Sequence, residues 1–356
     1  MNETEKINYR FAQEKDHPQM EELYNSSPMD ASLDILFAKN PSFIRANGVK
    51  GYEVKTAIAE IGGEIIAAGT RSLSNNYING IPGIMGYLSD LRISSKKVFK
   101  KRVLADFYLY FYNLMGRGQA GIHIMSILED NRKAKAALTW NAKHNFIPNA
   151  VSLGLINTYF IFPLFKKKTA CKYKIKRYED EDLENIVEFL NKEGGKRNLF
   201  PAVSADYFKS LPGFCVKDFL IAYEGSRIAG VMGKWNQSSF RQLILNSYKN
   251  KFKILKWLPF FPKEKKEIRM IYVSFAAVQN DNPAVFKELL TEFYNAYKKE
   301  GAVVLSLHEN DPFNNALNGF IKYVFKSRLY ACDYKPAEEL NKILDSRPVH
   351  VEAGLL

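Results

Sequence analysis

The chain is poor in groups on which several common chemistries depend. It holds three cysteines, Cys171, Cys215 and Cys332, far apart and without a Cys-x-x-Cys pair. Neither a disulfide framework nor a zinc site is therefore indicated. Its five histidines, His17, His123, His144, His308 and His350, are scattered, and no metal site is expected. No apolar run approaches the length of a membrane span, and MNETEKINYR lacks the apolar segment of a secretory leader. A cytoplasmic protein is expected. Glycine is missing from one stretch where it matters: none lies between Gly86 and Gly116.

What is present points to a folded, basic protein. At 356 residues the chain is long enough for two domains, each with its own core. Apolar residues make up 46% and aromatics 13%, and the net charge of +13 with a pI near 9.3 favours anionic partners such as nucleotides, RNA or an acidic membrane face.

The most informative stretch runs from Gly86 to Gly116, GYLSDLRISSKKVFKKRVLADFYLYFYNLMG. Gly86 to Ile93 reads as a strand. From Val103 the apolar residues change to helical spacing, with Val103, Phe107, Phe111 and Leu114 on one face. Gly116 and Gly118 then stop the helix. Lys96, Lys97, Lys100, Lys101 and Arg102 crowd the junction. A helix N-terminus offers unpaired N–H groups and a positive dipole end, so the junction suits a phosphate. The plainer alternative is a solvated lysine loop.

Taken in order, Tyr9 to Ala12 reads as a strand, followed by a helix carrying Met20, Leu23 and Tyr24. A second helical patch is expected at Leu33, Ile35, Leu36 and Phe37. A hairpin follows, Lys55 to Ile61 and Glu64 to Arg71 around Gly62-Gly63. Asn75, Asn76, Asn79 and Gly80 mark the next turn. After the central stretch come a strand (Gly121 to Leu128), a helix (Asn131 to Trp140) and a long apolar strand or hairpin (Val151 to Phe162).

Beyond Lys166-Lys-Lys168 the order begins again. Tyr173-Lys-Ile-Lys matches Tyr9-Arg-Phe-Ala, and a helix follows with Leu183, Ile186, Val187 and Leu190. A hairpin turns at Gly225-Ser226, Arg269 to Val278 is a central strand, Val285 to Tyr297 a helix, and Val303 to Leu307 a strand. Glu309-Asn310-Asp311 echoes Glu129-Asp130-Asn131, and Leu329 to Tyr334 closes the series. An internal duplication explains the pattern. The tail from Pro336 holds one short helix.

This is an α+β order, and it resembles two copies in tandem of the Gcn5-related N-acetyltransferase (GNAT) fold. Each copy is a mixed, mostly antiparallel sheet flanked by helices. Expected domains are 1–165, with an acyl-CoA site, 172–335, degenerate, and the tail 336–356. The resemblance rests on element order, with Leu91-Arg-Ile93-Ser-Ser95 where the family's central-strand signal falls and Asn131-Arg-Lys-Ala134 as its Asn-x-x-Ala element.

The resemblance implies an acyl-CoA-dependent N-acyltransferase, taking acetyl-CoA or another acyl-CoA, with an amine-bearing small molecule or peptide as acceptor. It assigns the cofactor to Leu91, Arg92, Ile93, Lys97, Lys100, Lys101, Arg102, Val103 and Asn131. Lysine and arginine stand there in place of the family's loop glycines, replacing backbone approach by direct charge. Asp90, on the central strand, is the base for the acceptor, its alternative being a structural pair with Arg92 or a neighbouring strand. His144 stands near where the family carries an acidic tyrosine. Asn131 reads equally as a helix cap.

The second half carries Asp281 where a phosphate would lie, so it is expected not to bind CoA. Residues 247 to 268 interleave lysines with Phe252, Trp257, Phe260 and Phe261, a mixture suited to single-stranded nucleic acid or to a hairpin insertion packing on its own domain. Three other readings fit the composition. They are a tandem-fold transferase using aminoacyl-tRNA, a pseudo-acetyltransferase binding module, and a nucleic-acid binder without chemistry.

Overall fold

The computed structural model describes residues 6–26, 33–94, 101–114, 118–132, 134–136, 148–179, 183–248 and 263–356, with the side chains of 33, 34, 37, 101–104 and 114 left out. In chain order the first half comprises β1 (Asn8–Phe11), α1 (His17–Ser26), β2 (Leu33–Lys39), α2 (Phe43–Asn47), β3 (Glu53–Ile61), β4 (Glu64–Ile78), β5 (Ile81–Ile93), α3 (Lys101–Leu114), β6 (Ile122–Leu128) and β7 (Asn149–Ile161). The second half comprises β8 (Lys174–Arg177), α4 (Leu183–Gly194), α5 (Ala205–Ser210), β9 (Leu220–Glu224), β10 (Arg227–Trp235), β11 (Arg241–Tyr248), β12 (Lys266–Glu267), β13 (Met270–Val278), α6 (Pro283–Tyr297), β14 (Ala302–His308) and β15 (Lys322–Asp333). One further short helix, α7 (Ala337–Leu340), lies in the tail.

Local chemistry accounts for most of these elements. Gly62 and Gly63, at φ 58° and 79°, supply the left-handed turn between β3 and β4. Asn79 and Gly80, at φ 54° and 79°, do the same between β4 and β5. Asn75 and Asn76, expected in that turn, are instead the last part of β4, paired with Ile84 and Gly83. Helix α6 opens on Asn282, whose side chain accepts from the Ala284 N–H, with Pro283 next. Its apolar face buries Val285, Phe286, Leu289, Phe293 and Tyr297. In α3, Phe107 and Phe111 are buried as their spacing requires. Among the described residues, no helix is long and apolar enough to cross a membrane.

One sheet of 12 strands runs through the whole molecule, in the order β1-β3-β4-β5-β6-β15-β7-β14-β13-β10-β9-β8. The two halves repeat one another about its centre. They also exchange their last strands: β6 of the first half pairs with β15 of the second, and β14 of the second with β7 of the first. Stretches 1–165 and 172–335 thus build a single sheet, joined at the middle by the β15–β7 ladder.

One expectation is overturned. Leu33 to Phe37 belongs to strand β2, not to a helix. The run pairs with β11, in the other half, within a small sheet ordered β12-β11-β2. A partner so distant in sequence leaves no local signature, and tertiary pairing overrides the helical spacing. The last strand is also longer than its apolar core, because Lys322 to Phe325 already pairs with β7. Of the basic-aromatic segment, residues 249–262 lie outside the described residues. Its flanks β11 and β12 pair antiparallel, as the two arms of a hairpin.

Candidate functional site

The central strands of the two halves carry the same sequence pattern, Met85-Gly-Tyr-Leu-Ser-Asp-Leu-Arg-Ile93 and Met270-Ile-Tyr-Val-Ser-Phe-Ala-Ala-Val278. They also carry the same distortion. Strand β5 runs parallel to β6 from Met85 to Leu88 and then parts from it. Strand β13 runs parallel to β14 from Met270 to Tyr272 and then parts from it. Just past each parting point is a β-bulge, marked by a register shift against β4 between Ala68 and Thr70, and against β10 between Val231 and Gly233. The bulge residues, Asp90 at φ 57° and Phe275 at φ 51°, are both left-handed. A bulge of this kind turns strand and side chain out of the plane of the sheet. The result in each half is a V-shaped opening between two parallel strands.

The two openings differ in what fills them. In the second half the tail enters: Glu352 Oε2 accepts from the Phe275 N–H at 2.8 Å. Val351 and Glu352 share one cavity wall with Val273, Ala276 and Leu305 to Leu307. Asp281 is engaged as well. Arg197, buried at 3% exposure, binds Asp281 at 2.8 Å and Asp311 at 2.6 Å. In the first half, no tail segment pairs with the bulge among the described residues.

Asp90 stands at the first-half bulge. Its Oδ2 receives Lys50 Nζ at 2.8 Å, Asn47 Nδ2 at 3.0 Å and Lys39 Nζ at 3.1 Å, whereas Oδ1 makes no hydrogen bond among the described residues. Its main-chain oxygen accepts from the Tyr24 hydroxyl. The expected alternative partner, Arg92, turns away to stack on the Tyr24 ring at 5.4 Å. Lys39 ends β2, which is held by β11, whereas Asn47 ends α2 and Lys50 follows within one turn, so one donor comes from the small sheet and two from α2 and its turn.

The charges here are strongly coupled. Burial alone would raise the Asp90 carboxyl, but Lys39 and Lys50 outweigh it and hold it well below the usual carboxylate range. Burial pushes Lys39 down to about 7, against the pull of Asp90. It pushes Lys50 down too. Tyr87, on the same strand ahead of Asp90, is driven up to about 12 by burial.

The other expected site residues fare differently. Leu91 and Ile93 pack into the apolar cluster with Phe107 and Phe111. Asn131 Oδ1 accepts from the Ala134 N–H at 3.1 Å, the geometry of a helix cap. Lys97, Lys100 and His144 lie outside the described residues, as do the side chains of Lys101, Arg102 and Val103. The sequence reading missed Lys39, Lys50 and Asn47 altogether. The signal available was a pair of lysines in an otherwise apolar or turn-like run, and two lysines with 7% and 4% exposure demand an anion nearby. Among the described residues, no group of three or more His, Cys, Asp or Glu is placed to hold a metal.

No protein-family model matches the chain, and no curated protein matches it. Solved structures do resemble it. N-myristoyltransferase from Saccharomyces cerevisiae, with bound myristoyl-CoA, superposes with a TM-score of 0.58 over 93% of this chain and 80% of that one, at 10% identity. A GCN5-related N-acetyltransferase from Sphaerobacter thermophilus superposes with a TM-score of 0.56 over 93% of this chain and 96% of that one, at 13% identity. The fold expected from element order is the fold observed.

Proposed function

From a chain with the tandem GNAT fold, we propose an N-acyltransferase that moves an acyl group from a CoA thioester to an amine. The donor lies in the opening between β5 and β6, and the acceptor in the cleft beside Asp90. The observation that carries this reading is the asymmetry of the two openings. The second is occupied by Glu352 and flanked by an arginine already neutralised by two aspartates. The first has its bulge residue held through one carboxylate oxygen by Lys39, Lys50 and Asn47, with the other oxygen uncommitted.

In this reading the parted strand from Leu91 to Ile93 offers main-chain groups to the pantetheine arm. Lys97, Lys100, Lys101 and Arg102, with the N-terminus of α3 at Lys101 to Val103, meet the pyrophosphate. Asn131 braces the end of β6 nearby. The acceptor nitrogen attacks the thioester carbonyl carbon, the C–N bond forms, the C–S bond breaks, and CoA leaves as thiolate. Asp90 Oδ1, which stays ionised, holds the acceptor ammonium by a charge-assisted hydrogen bond, and the amine proton passes to solvent, to which that side chain is 20% open. His144 supplies a proton to the leaving thiolate. Both structural neighbours are named as acyltransferases, one holding myristoyl-CoA. Tyr87 and Met125 are buried beside the opening, and a short acyl group such as acetyl is the donor inferred.

The test is calorimetric titration with CoA, acetyl-CoA and longer acyl-CoA thioesters, repeated on a Lys100→Ala/Lys101→Ala variant. Binding of acetyl-CoA that weakens about tenfold in the variant is expected. Absence of binding to the unaltered protein at millimolar thioester would sink the reading.

A further inference from the structure

The cations around Asp90 come from both halves. Lys39 ends β2 and Arg241 begins β11, and the two are register partners in the small sheet. Register partners in an antiparallel pair project on one face, where like charges repel. Arg241 acts electrostatically on Asp90, Lys39 and Lys50 alike. Three cations, the buried Lys39 and Lys50 and the part-exposed Arg241, therefore stand around the single charge of Asp90, an excess that a further anion would answer.

The donor inventory shows where such an anion fits. Arg241 Nη1 is committed to Gly354 O at 3.0 Å, Gln237 Oε1 at 3.3 Å and Leu356 O at 3.4 Å. Its Nε and Nη2 make no hydrogen bond among the described residues. That edge of a guanidinium is the one that grips a carboxylate or phosphate through two parallel bonds. Lys39 Nζ donates to Asn47 Oδ1 at 2.8 Å and to Asp90 Oδ2 at 3.1 Å, which leaves its third N–H uncommitted.

We propose that Arg241 and Lys39 together bind an oxyanion carried by the acceptor, so that the substrate is an amine bearing a nearby carboxylate or phosphate. The inference rests on the acyltransferase reading for the word acceptor, and on the Arg241–Lys39 pairing alone for the anion. Asp90 meets the ammonium end of such a molecule and the two cations its acidic end. Neutral amines lose half of this recognition.

Lys39 faces Asp90 from β5, Asn47 and Lys50 from α2 and the turn after it, Arg241 from β11, and the rings of Phe43 and Tyr24 at 4.6 and 5.6 Å. An anion added to this set favours the charged lysine. Binding near pH 7.5 is then accompanied by proton uptake.

Two experiments test this. In the first, inorganic phosphate is titrated into the protein by calorimetry in buffers of different ionisation enthalpy at pH 7.5. The unaltered protein is expected to bind with more proton uptake than Lys39→Met, in which only the ionisation of phosphate itself remains, and Arg241→Gln to bind at least tenfold more weakly. Arg241→Lys, which keeps the charge but loses the fork, falls between and guards against a folding defect. Equal affinity in all four proteins, or binding by none, overturns the proposal. In the second, acyl transfer is compared for glycine against glycinamide and for phosphoethanolamine against ethanolamine. A tenfold preference in kcat/KM for the acidic member of either pair, lost in Arg241→Gln, supports it, and the favoured pair identifies the acid. Equal rates within both pairs overturn the anion site while leaving acyl transfer standing. Phosphate binding without transfer to any acceptor overturns the reaction and leaves the anion site standing.

Discussion

Asp90 and Phe275 hold the same place in the two halves: each is the left-handed residue of the bulge at which a central strand leaves its parallel neighbour. The backbone is conserved between them while the chemistry is reversed. Aspartate tolerates the left-handed region and presents a carboxylate. Phenylalanine there is a rare conformation for a bulky residue, and it is packed against Trp235 and Phe208 while its N–H is capped by Glu352. One bulge places a part-exposed carboxylate among lysines and the other is built into the core.

Replacement of Asp90 by asparagine tests the functional side of this difference. The amide keeps the shape but loses the charge that holds the acceptor's ammonium and directs its proton to solvent, a contribution comparable to the about 10²–10⁴-fold of positioned proton-transfer groups. Transfer measured with a saturating thioester is expected to fall by about 100-fold or more. Acyl-CoA affinity, which depends on the strand beyond Asp90, should stay within threefold. A variant with full turnover removes Asp90 from the mechanism. Stability should also drop, because Lys39 and Lys50 lose their carboxylate, at a cost of about 3–5 kcal/mol for a broken buried pair.

Glu352 tests the structural side. Its Oε2 is the acceptor of the Phe275 N–H, and both groups are buried. Glu352→Ala leaves that N–H unanswered, which costs about 1–3 kcal/mol. Urea denaturation followed by Trp fluorescence should show the loss, since Trp235 packs on Phe275. Acyl-CoA affinity should not change. A variant that bound CoA more weakly would place the donor in the second half.

The exchange of last strands makes a prediction about the halves. Residues 1–165 expressed alone keep β6 and β7 but lose β15 and β14, the strands to which these pair. Three strand edges, one of β6 and both of β7, then lose their partners in a fragment with an incomplete core. The fragment should aggregate or remain unfolded by circular dichroism, and co-expression with residues 166–356 should restore a soluble complex. A folded, monomeric first half would contradict this account of the central ladder.

How much of this was legible beforehand follows from the range over which each feature is determined. The hairpin at Gly62-Gly63, the helix capped by Asn282 and the central strands announce themselves within about ten residues, because turn chemistry and apolar spacing are local. The repeat was legible too, and more sharply than element order suggests: Met-x-Tyr, then Leu or Val, then Ser recurs at Met85 and Met270. Asp90 was singled out from its place on that strand. Its partners were not, since Lys39 reaches it only through the pairing of β2 with β11. The tail carries no such signal because Val351 to Gly354 is a short piece with no period of its own. Its meaning comes from the slot it enters.

Lys39 supplies a prediction in which sign matters. Its folded value is depressed by burial to about 7, against about 10.4 for a free lysine. Below pH 7 the side chain is protonated in both states, and the folded protein bears the full cost of the buried charge. Between about 7 and 10.4 the unfolded chain binds the extra proton, so stability rises with pH through this window. The Lys39 contribution is complete above the unfolded value and is lost again as pH falls through 7. Asp90 adds nothing here, because its titration lies at acid pH. Thermal unfolding of the unaltered protein and of Lys39→Met should therefore diverge in slope between pH 7 and 9, with the methionine variant flatter. Saturating phosphate should flatten the unaltered protein as well, because an anion beside Lys39 raises its folded value toward the unfolded one. Parallel profiles for the two proteins would show that Lys39 stays charged throughout this range, held by Asp90 and the Phe43 ring.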